Sequence, residues 1–435
     1  MRIQDIPMRR KLVGSFLLVG CVPAVLLTVV TLVVAMNSLM TQTYEQLSGL
    51  RENKQQQLET YFTQQQSDLD VLGKTVESFQ KAAEVKLAAI RDAKAVTLMD
   101  YLSFSRAQLL DFAKKPQLID AMANLPVYLR NYRYDREVSV DQIELIRKEL
   151  RLCWEEDFGQ RYQEITGEND LDIEEKFSLL SEWSIVIQQA YISSNSHSLG
   201  SKIELLKPKS ELLFAPPYDL MHEDLHPMIR NFAEEFGYQD VYLVDSESGD
   251  VAYSMMKRID FGTSLINGPF AESHLGKIFS RANTAVASDE FFITDFEPYE
   301  PSFEAPTAFM ATPIFEENRK LGVLIFEFPV DKFKNVMSYR SGLGQTGETY
   351  LVGSDQLFRS DSYLNPTNFS MEVSFRDFEE VETAQVLAGL SGESGVGVSR
   401  NYMNEYVLSA WSPFNFENLN WVLVSEMRVG EVLNP

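Results

Sequence analysis

The stretch Asp240-Val241-Tyr242-Leu243-Val244-Asp245 reads as a strand, Ser246-Glu247-Ser248-Gly249-Asp250 as a turn, and Val251-Ala252-Tyr253-Ser254 as the returning strand. A helix-like stretch around Phe270–Ala285 follows. Then Phe291–Thr294, Ala308–Phe315 and Gly322–Phe328 complete an antiparallel sheet. About 100 residues later the same phrases return. Glu348-Thr349-Tyr350-Leu351-Val352-Gly353-Ser354 echoes the first strand. Tyr406-Val407-Leu408-Ser409-Ala410-Trp411-Ser412-Pro413-Phe414 echoes Thr307–Ile314, and Trp421–Met427 echoes Gly322–Phe328. Self-similarity at a fixed spacing means two copies of one supersecondary unit, each a small sheet of about five strands with a helical flank.

Toward the N-terminus the texture is helical. Thr41–Lys115 contains no Pro, and apolar residues recur at Tyr44, Leu47, Leu58, Tyr61, Leu69, Leu72, Val76, Phe79, Ala83, Leu87 and Ile90. Steps of three, four and seven predict a long amphipathic helix, and its single stripe predicts pairing, with later helices or with a second copy. Residues 116–237 predict a helical bundle with breaks at Pro116, Pro126 and the Pro208–Pro217 loop, and a connector at Gly167–Asp170. A helix starts near Asp141-Gln142-Ile143-Glu144, and Trp154 and Trp183 serve as apolar anchors.

Between Lys11 and Glu45 there is no charged residue, and Leu12–Met36 is long enough to cross a bilayer as one helix. Arg2, Arg9, Arg10 and Lys11 against a lone Asp5 place the N-terminal stub on the cytoplasmic side and about 400 residues outside. A cleaved secretory signal has an apolar core of only about 7–15 residues, so an uncleaved anchor is the expectation, although Val33-Val34-Ala35 offers a weak cleavage site. The formal net charge of −24 argues against nucleic-acid binding. Cys21 lies in the span and Cys153 far downstream, which predicts no disulfide framework and no cysteine metal site.

Two literal motifs need weighing. His222-Glu223-Asp224-Leu225-His226 is an H-E-x-x-H, which on a helix presents two imidazoles for zinc with Glu223 as general base. Pro227 follows directly and disfavours helical geometry at His226, so the expected role is packing near a helix end. Gly342, Gly344 and Gly347 spell G-x-G-x-x-G, but a strand follows them where dinucleotide binding needs a helix. They are expected to form the turn that enters the second sheet.

A membrane helix, a long periplasmic helix and two stacked PAS-like sheets resemble the double Cache sensor region of methyl-accepting chemotaxis receptors. The phrases that carry the resemblance are Gly342–Gly353 followed by Phe358-Arg359-Ser360-Asp361-Ser362, and Phe236–Asp245. Lys11-Leu12 with Val22-Pro23, and Lys54 with Tyr61-Phe62, are also similar to that family. The resemblance implies an α+β chain: a stub at 1–11, a transmembrane helix at 12–36, a long helix and helical bundle at 37–237, a membrane-distal module at 238–335 and a membrane-proximal one at 336–430. The Arg-x-Trp-Tyr signature of amino-acid-binding Cache domains is not present, so amino acids are not favoured. A second span and output region are expected beyond Pro435, as in a receptor cut short.

The resemblance implies a non-enzymatic, inner-membrane, homodimeric sensor of a small molecule, working without a cofactor. Its output would be a chemotaxis domain or, alternatively, a histidine kinase or nucleotide cyclase. A membrane-anchored zinc peptidase built on His222, Glu223 and His226 is the reading from a different class. A PAS-like sheet curls around a small cavity, which places Tyr253, Lys257, Asp295, Tyr299, Ser302, Phe309 and Thr312 on or beside the pocket. Lys257 would balance an anionic group and Asp295 a cationic one. Arg359 and Asp361 are expected on the second strand of the proximal copy, in a structural salt bridge.

Overall fold

The computed structural model describes residues 7–167, 171–198 and 200–433. Arg2, Asp5, residues 168–170 of the expected Gly167–Asp170 connector and the last two residues lie outside the described residues. The chain divides into two compact units, Met1–Ser78 and Phe79–Pro435. Helix α1 (Met8–Ala113) belongs to both.

In the first unit α1 is long and apolar enough to cross a membrane, and its apolar window is wholly exposed. Thr28, Thr31, Thr41 and Thr43 return their hydroxyls to the carbonyls four residues back. That satisfies their polar atoms within the helix, as a nonpolar solvent requires. Tyr44, Leu47, Leu58, Tyr61, Leu69 and Leu72 of the predicted stripe are all exposed in this unit.

The second unit begins with the rest of α1 and continues through α2 (Pro116–Asp135), α3 (Val140–Leu152), a π-helical turn (Cys153–Gly159), α4 (Gln160–Thr166), α5 (Ile173–Ser178), α6 (Glu182–Gln188), a second π-helical turn (Gln189–Ser193) and α7 (Pro217–Phe236). The expected start near Asp141 is one residue off: Ser139 caps α3, reciprocated by Gln142. Two proline expectations are corrected. Pro126 lies inside α2 and Pro227 inside α7. Burial of Leu118, Met122, Leu125 and Leu129 on α2, and of Leu225 and Ile229 on α7, outweighs the lost backbone bond.

The first sheet contains β1 (Val241–Asp245), β2 (Val251–Ser254), β3 (Phe292–Ile293), β6 (Phe309–Glu316) and β7 (Arg319–Glu327), in the order β2-β1-β7-β6-β3. Before β6 run α8 (His274–Asn283) and a small hairpin of β4 (Glu297–Tyr299) and β5 (Ala305–Thr307). One face of the sheet, with Val241, Leu243, Leu324 and Phe326, packs on Leu98, Leu102 and Phe112 of α1, Met122 of α2 and Ile229 of α7. The other, with Tyr242, Val244, Phe309, Ala311, Val323 and Ile325, packs on Trp154, Phe158 and α8.

After α9 (Val330–Ser338), the second sheet follows with β8 (Glu348–Val352), α10 (Met371–Asp377), α11 (Ala384–Leu390), β9 (Gly395–Arg400), β10 (Tyr406–Phe416), β11 (Leu419–Arg428) and α12 (Val429–Val432). Its order β8-β11-β10-β9 repeats the β1-β7-β6-β3 part of the first sheet. A fifth strand was expected at Phe358–Ser362. Only the bridge between Val352 and Phe358 forms there. The Leu351 N–H that would extend the ladder is taken by the Ser360 hydroxyl at 3.0 Å.

Both long hairpins close on a two-residue turn, Glu317-Asn318 and Glu417-Asn418, with the Glu in the left-handed region (φ 52° and 51°). Gly322 marks the tightest approach of sheet to helix. A Cβ there would collide with Met122 Cε and with the Val244 carbonyl oxygen of β1. The latter is backbone and cannot rotate away. Gly322→Ala should therefore destabilise the full chain by about 2–4 kcal/mol, read as a lower urea midpoint with an unchanged slope; an unchanged midpoint would contradict this packing.

Candidate functional site

The seven residues expected at the pocket do not converge, because they occupy both faces of the first sheet. Tyr253 and Lys257 lie on the helix-packed side. The Tyr253 hydroxyl donates to His226 Nδ1 at 2.6 Å. Lys257, with φ 57°, sends its ammonium to the Ser254 carbonyl and over the Tyr253 and Phe261 rings, 4.3 and 5.0 Å from their centroids. Burial pulls its pKa down to about 7, with Asp240 opposing. Thr312 is fully buried and donates to the Glu290 carbonyl at 2.8 Å. Strand alternation puts it on the face of Met310 and Ile314, away from Phe309.

Tyr299 and Phe309 occupy the opposite face, with ring centroids 5.3 Å apart, and His274 closes over both. The chemistry here belongs to a residue the sequence reading missed, Asp260. Its Oδ2 accepts from Tyr299 at 2.6 Å and from Tyr242 at 3.1 Å. Its Oδ1 is buried and has no hydrogen-bond partner among the described residues. Burial, reinforced by the charge of Asp240, pushes the Asp260 carboxyl up to about 7. The loop around it is clamped. Gln188 Nε2 donates to the Ile259 and Phe261 carbonyls at 2.9 and 2.7 Å, and Trp154 Nε1 holds Gln188 Oε1 at 3.0 Å. Gln188 stands at the junction of α6 and the second π-helical turn, a distortion often found at functional sites.

Ile259, the residue before Asp260, lines a cavity of about 340 Å³. Its wall includes Lys257, Arg258, Ile259, Ser302, Phe303, Thr307 and Glu327 from the first sheet and its hairpin, and Met371 and Glu372 from α10. Arg258 pairs with Glu327 through both guanidinium branches. Ser302 Oγ is buried without a partner among the described residues. The wall thus offers charges of both signs and an unused hydroxyl amid apolar side chains, the composition of a small-molecule pocket. Of the expected residues, Lys257 and Ser302 border it.

Asp295 is neither in this cavity nor paired with Lys257. It joins the two sheet regions, accepting from Arg359 Nε at 2.8 Å and Nη2 at 2.9 Å, and from Trp421 Nε1 at 3.0 Å. Arg359 also reaches Asp355 Oδ2 at 2.8 Å. The expected salt bridge of Arg359 with Asp361 does not form, because each side chain has another partner. Asp361 pairs with Lys334 at 3.1 Å.

His222 and His226 lie fully buried, their rings stacked 4.7 Å apart. His226 Nε2 donates to the Ile203 carbonyl at 2.6 Å, which leaves Nδ1 to accept from Tyr253. His222 Nδ1 donates to the Leu206 carbonyl at 2.6 Å. Both nitrogens of His226 are therefore engaged, and Glu223 pairs with Lys207 at 2.6 Å. Burial, then the Lys257 charge, pulls His226 down to about 3. Gly342 and Gly344 take φ of 85° and 66° in the turn before β8, and the Gln345 and Thr346 amides there hold the Glu431 carboxylate at 2.7 Å each.

No family model and no curated protein matches this chain. Among solved structures it is similar to the ligand-binding domain of the Pseudomonas fluorescens chemoreceptor CtaA in complex with L-serine. Identity is 14%, with 45% of this chain and 75% of that one covered, at a TM-score of 0.30. It is similar to the ligand-binding domain of the Pseudomonas aeruginosa PAO1 amino acid chemoreceptor PctC in complex with GABA (14%, 53% and 86%, TM-score 0.31). A third is an extracellular domain described as that of the histidine kinase vpHK1S-Z8 (15%, 68% and 95%, TM-score 0.32). Scores of this size carry no weight for fold or function, which rest on the strands and side chains above.

Proposed function

We propose that this chain is the extracytoplasmic sensor region of a membrane receptor, and that it binds a small molecule of mixed charge in the cavity between the first sheet and its β4–β5 hairpin. The unpartnered Ser302 Oγ in the wall of that cavity carries the reading: a buried hydroxyl without a partner invites a hydrogen bond from a ligand. Arg258 and Ser302 would meet the ligand's acceptor groups. The apolar span at residues 12–36 supports membrane anchoring, and the repeated strand order supports two PAS-like modules of double Cache type. Pairing of two copies along the exposed Tyr44–Leu72 stripe would complete a homodimer. Ligand-dependent closure of the hairpin would pass along α1 as a small shift. A methyl-accepting chemotaxis receptor is the output class that fits the long helix best; the same sensor would serve a histidine kinase or nucleotide cyclase.

The test is a thermal-shift screen of the full chain in detergent micelles against mixed-charge metabolites. A true ligand at 100 times its Kd should add about 2.7 kcal/mol of stability. Ser302→Ala, which removes the unused hydroxyl from the wall, should weaken it by about tenfold. A panel without any stabilising compound, or a shift indifferent to Ser302→Ala, would reject the site.

A further inference from the structure

The second sheet has a cavity of its own, separate from the one above. About 230 Å³ in size, it lies among Phe358, Phe369 and Tyr402, with Thr383 and Asn401 also in its wall. The three rings pack edge to face on one another, with Phe358 and Phe369 6.5 Å apart at 65°, and form an aromatic wall of the cavity. Tyr402 stands 5.1 Å from Phe358 at 89° and 4.8 Å from Phe369 at 60°, centroid to centroid. Tyr402 is held in place by its hydroxyl, which donates to Glu348 and lies 2.6 Å from Ser362 Oγ.

The charge around the cavity has one sign. Glu379, Glu380 and Glu382 form the exposed rim, and no Lys or Arg lines the cavity among the described residues. The nearby Arg376 is paired with Asp377. Behind the aromatic wall, Glu348 and Glu426 are both buried and stand opposite each other on β8 and β11. Thr383 is only 8% exposed, and its Oγ1 has no partner among the described residues. It therefore offers an unused hydrogen-bonding group in the wall of the cavity.

Aromatic faces beneath a ring of carboxylates attract cations, and rings favour soft, weakly hydrated ones. Among the described residues no group of three or more His, Cys, Asp or Glu side chains is arranged to hold a metal ion. The volume is below the range of about 300–1,000 Å³ usual for drug-sized ligands. We propose that this pocket binds a small organic cation, an alkylammonium or quaternary ammonium group, seated against the aromatic wall of Phe358, Phe369 and Tyr402 and balanced by the Glu379, Glu380 and Glu382 carboxylates.

The experiment is calorimetric titration of the full chain in detergent micelles with choline as probe and 3,3-dimethylbutan-1-ol as its uncharged isostere. Saturable choline binding is expected, with the isostere at least about tenfold weaker. The exposed triple variant Glu379→Gln/Glu380→Gln/Glu382→Gln should weaken choline by a similar factor, and Phe369→Leu should do so without removing any charge. Ser302→Ala should leave choline binding unchanged, which separates this site from the first cavity. No saturable choline binding to a cooperatively melting chain, equal binding of the isostere, or full affinity in the triple variant would overturn the proposal.

Discussion

Arg359→Met should destabilise the full chain by about 3–5 kcal/mol, the range found when one partner of a buried ion pair is removed. Arg359 is 1% exposed, and its guanidinium meets Asp295 twice, Asp355 once and the Leu357 carbonyl at 3.0 Å. Its Cζ also sits 4.9 Å from the centroid of the Phe375 ring. Methionine fills most of the volume but leaves the Asp295 carboxylate with Trp421 Nε1 and the Phe296 amide as its donors. Asp295→Asn should be milder, about 1–2 kcal/mol, because Asp355 still neutralises the guanidinium. The double variant Arg359→Met/Asp295→Leu should recover part of the loss, since the carboxylate still without its cation is then Asp355, which is exposed to water. Urea unfolding followed by Trp fluorescence measures all three, because Trp421 reports directly on Asp295. A loss below about 1 kcal/mol for Arg359→Met would mean that this clasp does not hold the loop after β3 to the second sheet.

The clasp joins residues 64 apart in sequence, and no local pattern announces such a pairing. Much of the rest was legible. The strands declared themselves through apolar runs bounded by turn residues, and the recurrence of those runs announced two related sheets. The sequence carries a further signal of the repeat: Glu317-Asn318 and Glu417-Asn418 close equivalent hairpins. Face assignment was harder. Tyr253 and Phe309 both sit on strands of the first sheet, but period-two alternation separates faces only once the covering helices are known. Lys257 reads as a free cation, whereas its left-handed backbone turns the ammonium inward. Asp260 was passed over because a lone Asp in a loop is ordinarily solvated; its burial depends on Gln188, from a helix far upstream. The H-E-x-x-H spacing does place two imidazoles on one helix face, and here that face packs on Tyr253. Pro126 and Pro227 were read as breaks because propensity describes an isolated helix, while these two are packed on the sheet.

Glu426→Gln should make the chain more stable at pH 8 and leave it nearly unchanged near pH 4.5. Glu426 is buried on β11, where Asn401 Nδ2 donates to one carboxyl oxygen at 2.7 Å and the Tyr350 hydroxyl to the other at 2.9 Å. Ser409 lies 3.4 Å from the second oxygen, and Glu348 stands opposite on β8 with Tyr402 bound to it. Burial first, and the Glu348 charge second, push the Glu426 carboxyl up to about 7 from an ordinary 4.5. Between those values the folded chain keeps a proton that the unfolded chain has lost, so stability falls as pH rises through the window. The stabilising share is complete below about pH 4.5 and gone above about pH 7. Gln resembles the protonated acid, with an oxygen for Asn401 and an N–H for the Tyr350 hydroxyl, and it carries no charge at any pH. The difference between variant and parent at pH 8 should therefore be on the order of 3 kcal/mol. The absolute profile is a poor readout. Burial holds His226 near 3 and His274 near 4, so both withdraw stability as pH falls below about 6.5, against the trend from Glu426. The variant-minus-parent difference cancels those terms. Melting curves of both chains at half-unit steps from pH 4.5 to 8 should show a gap that opens only above the ordinary carboxyl range. A gap constant across that range would mean that Glu426 carries its charge throughout.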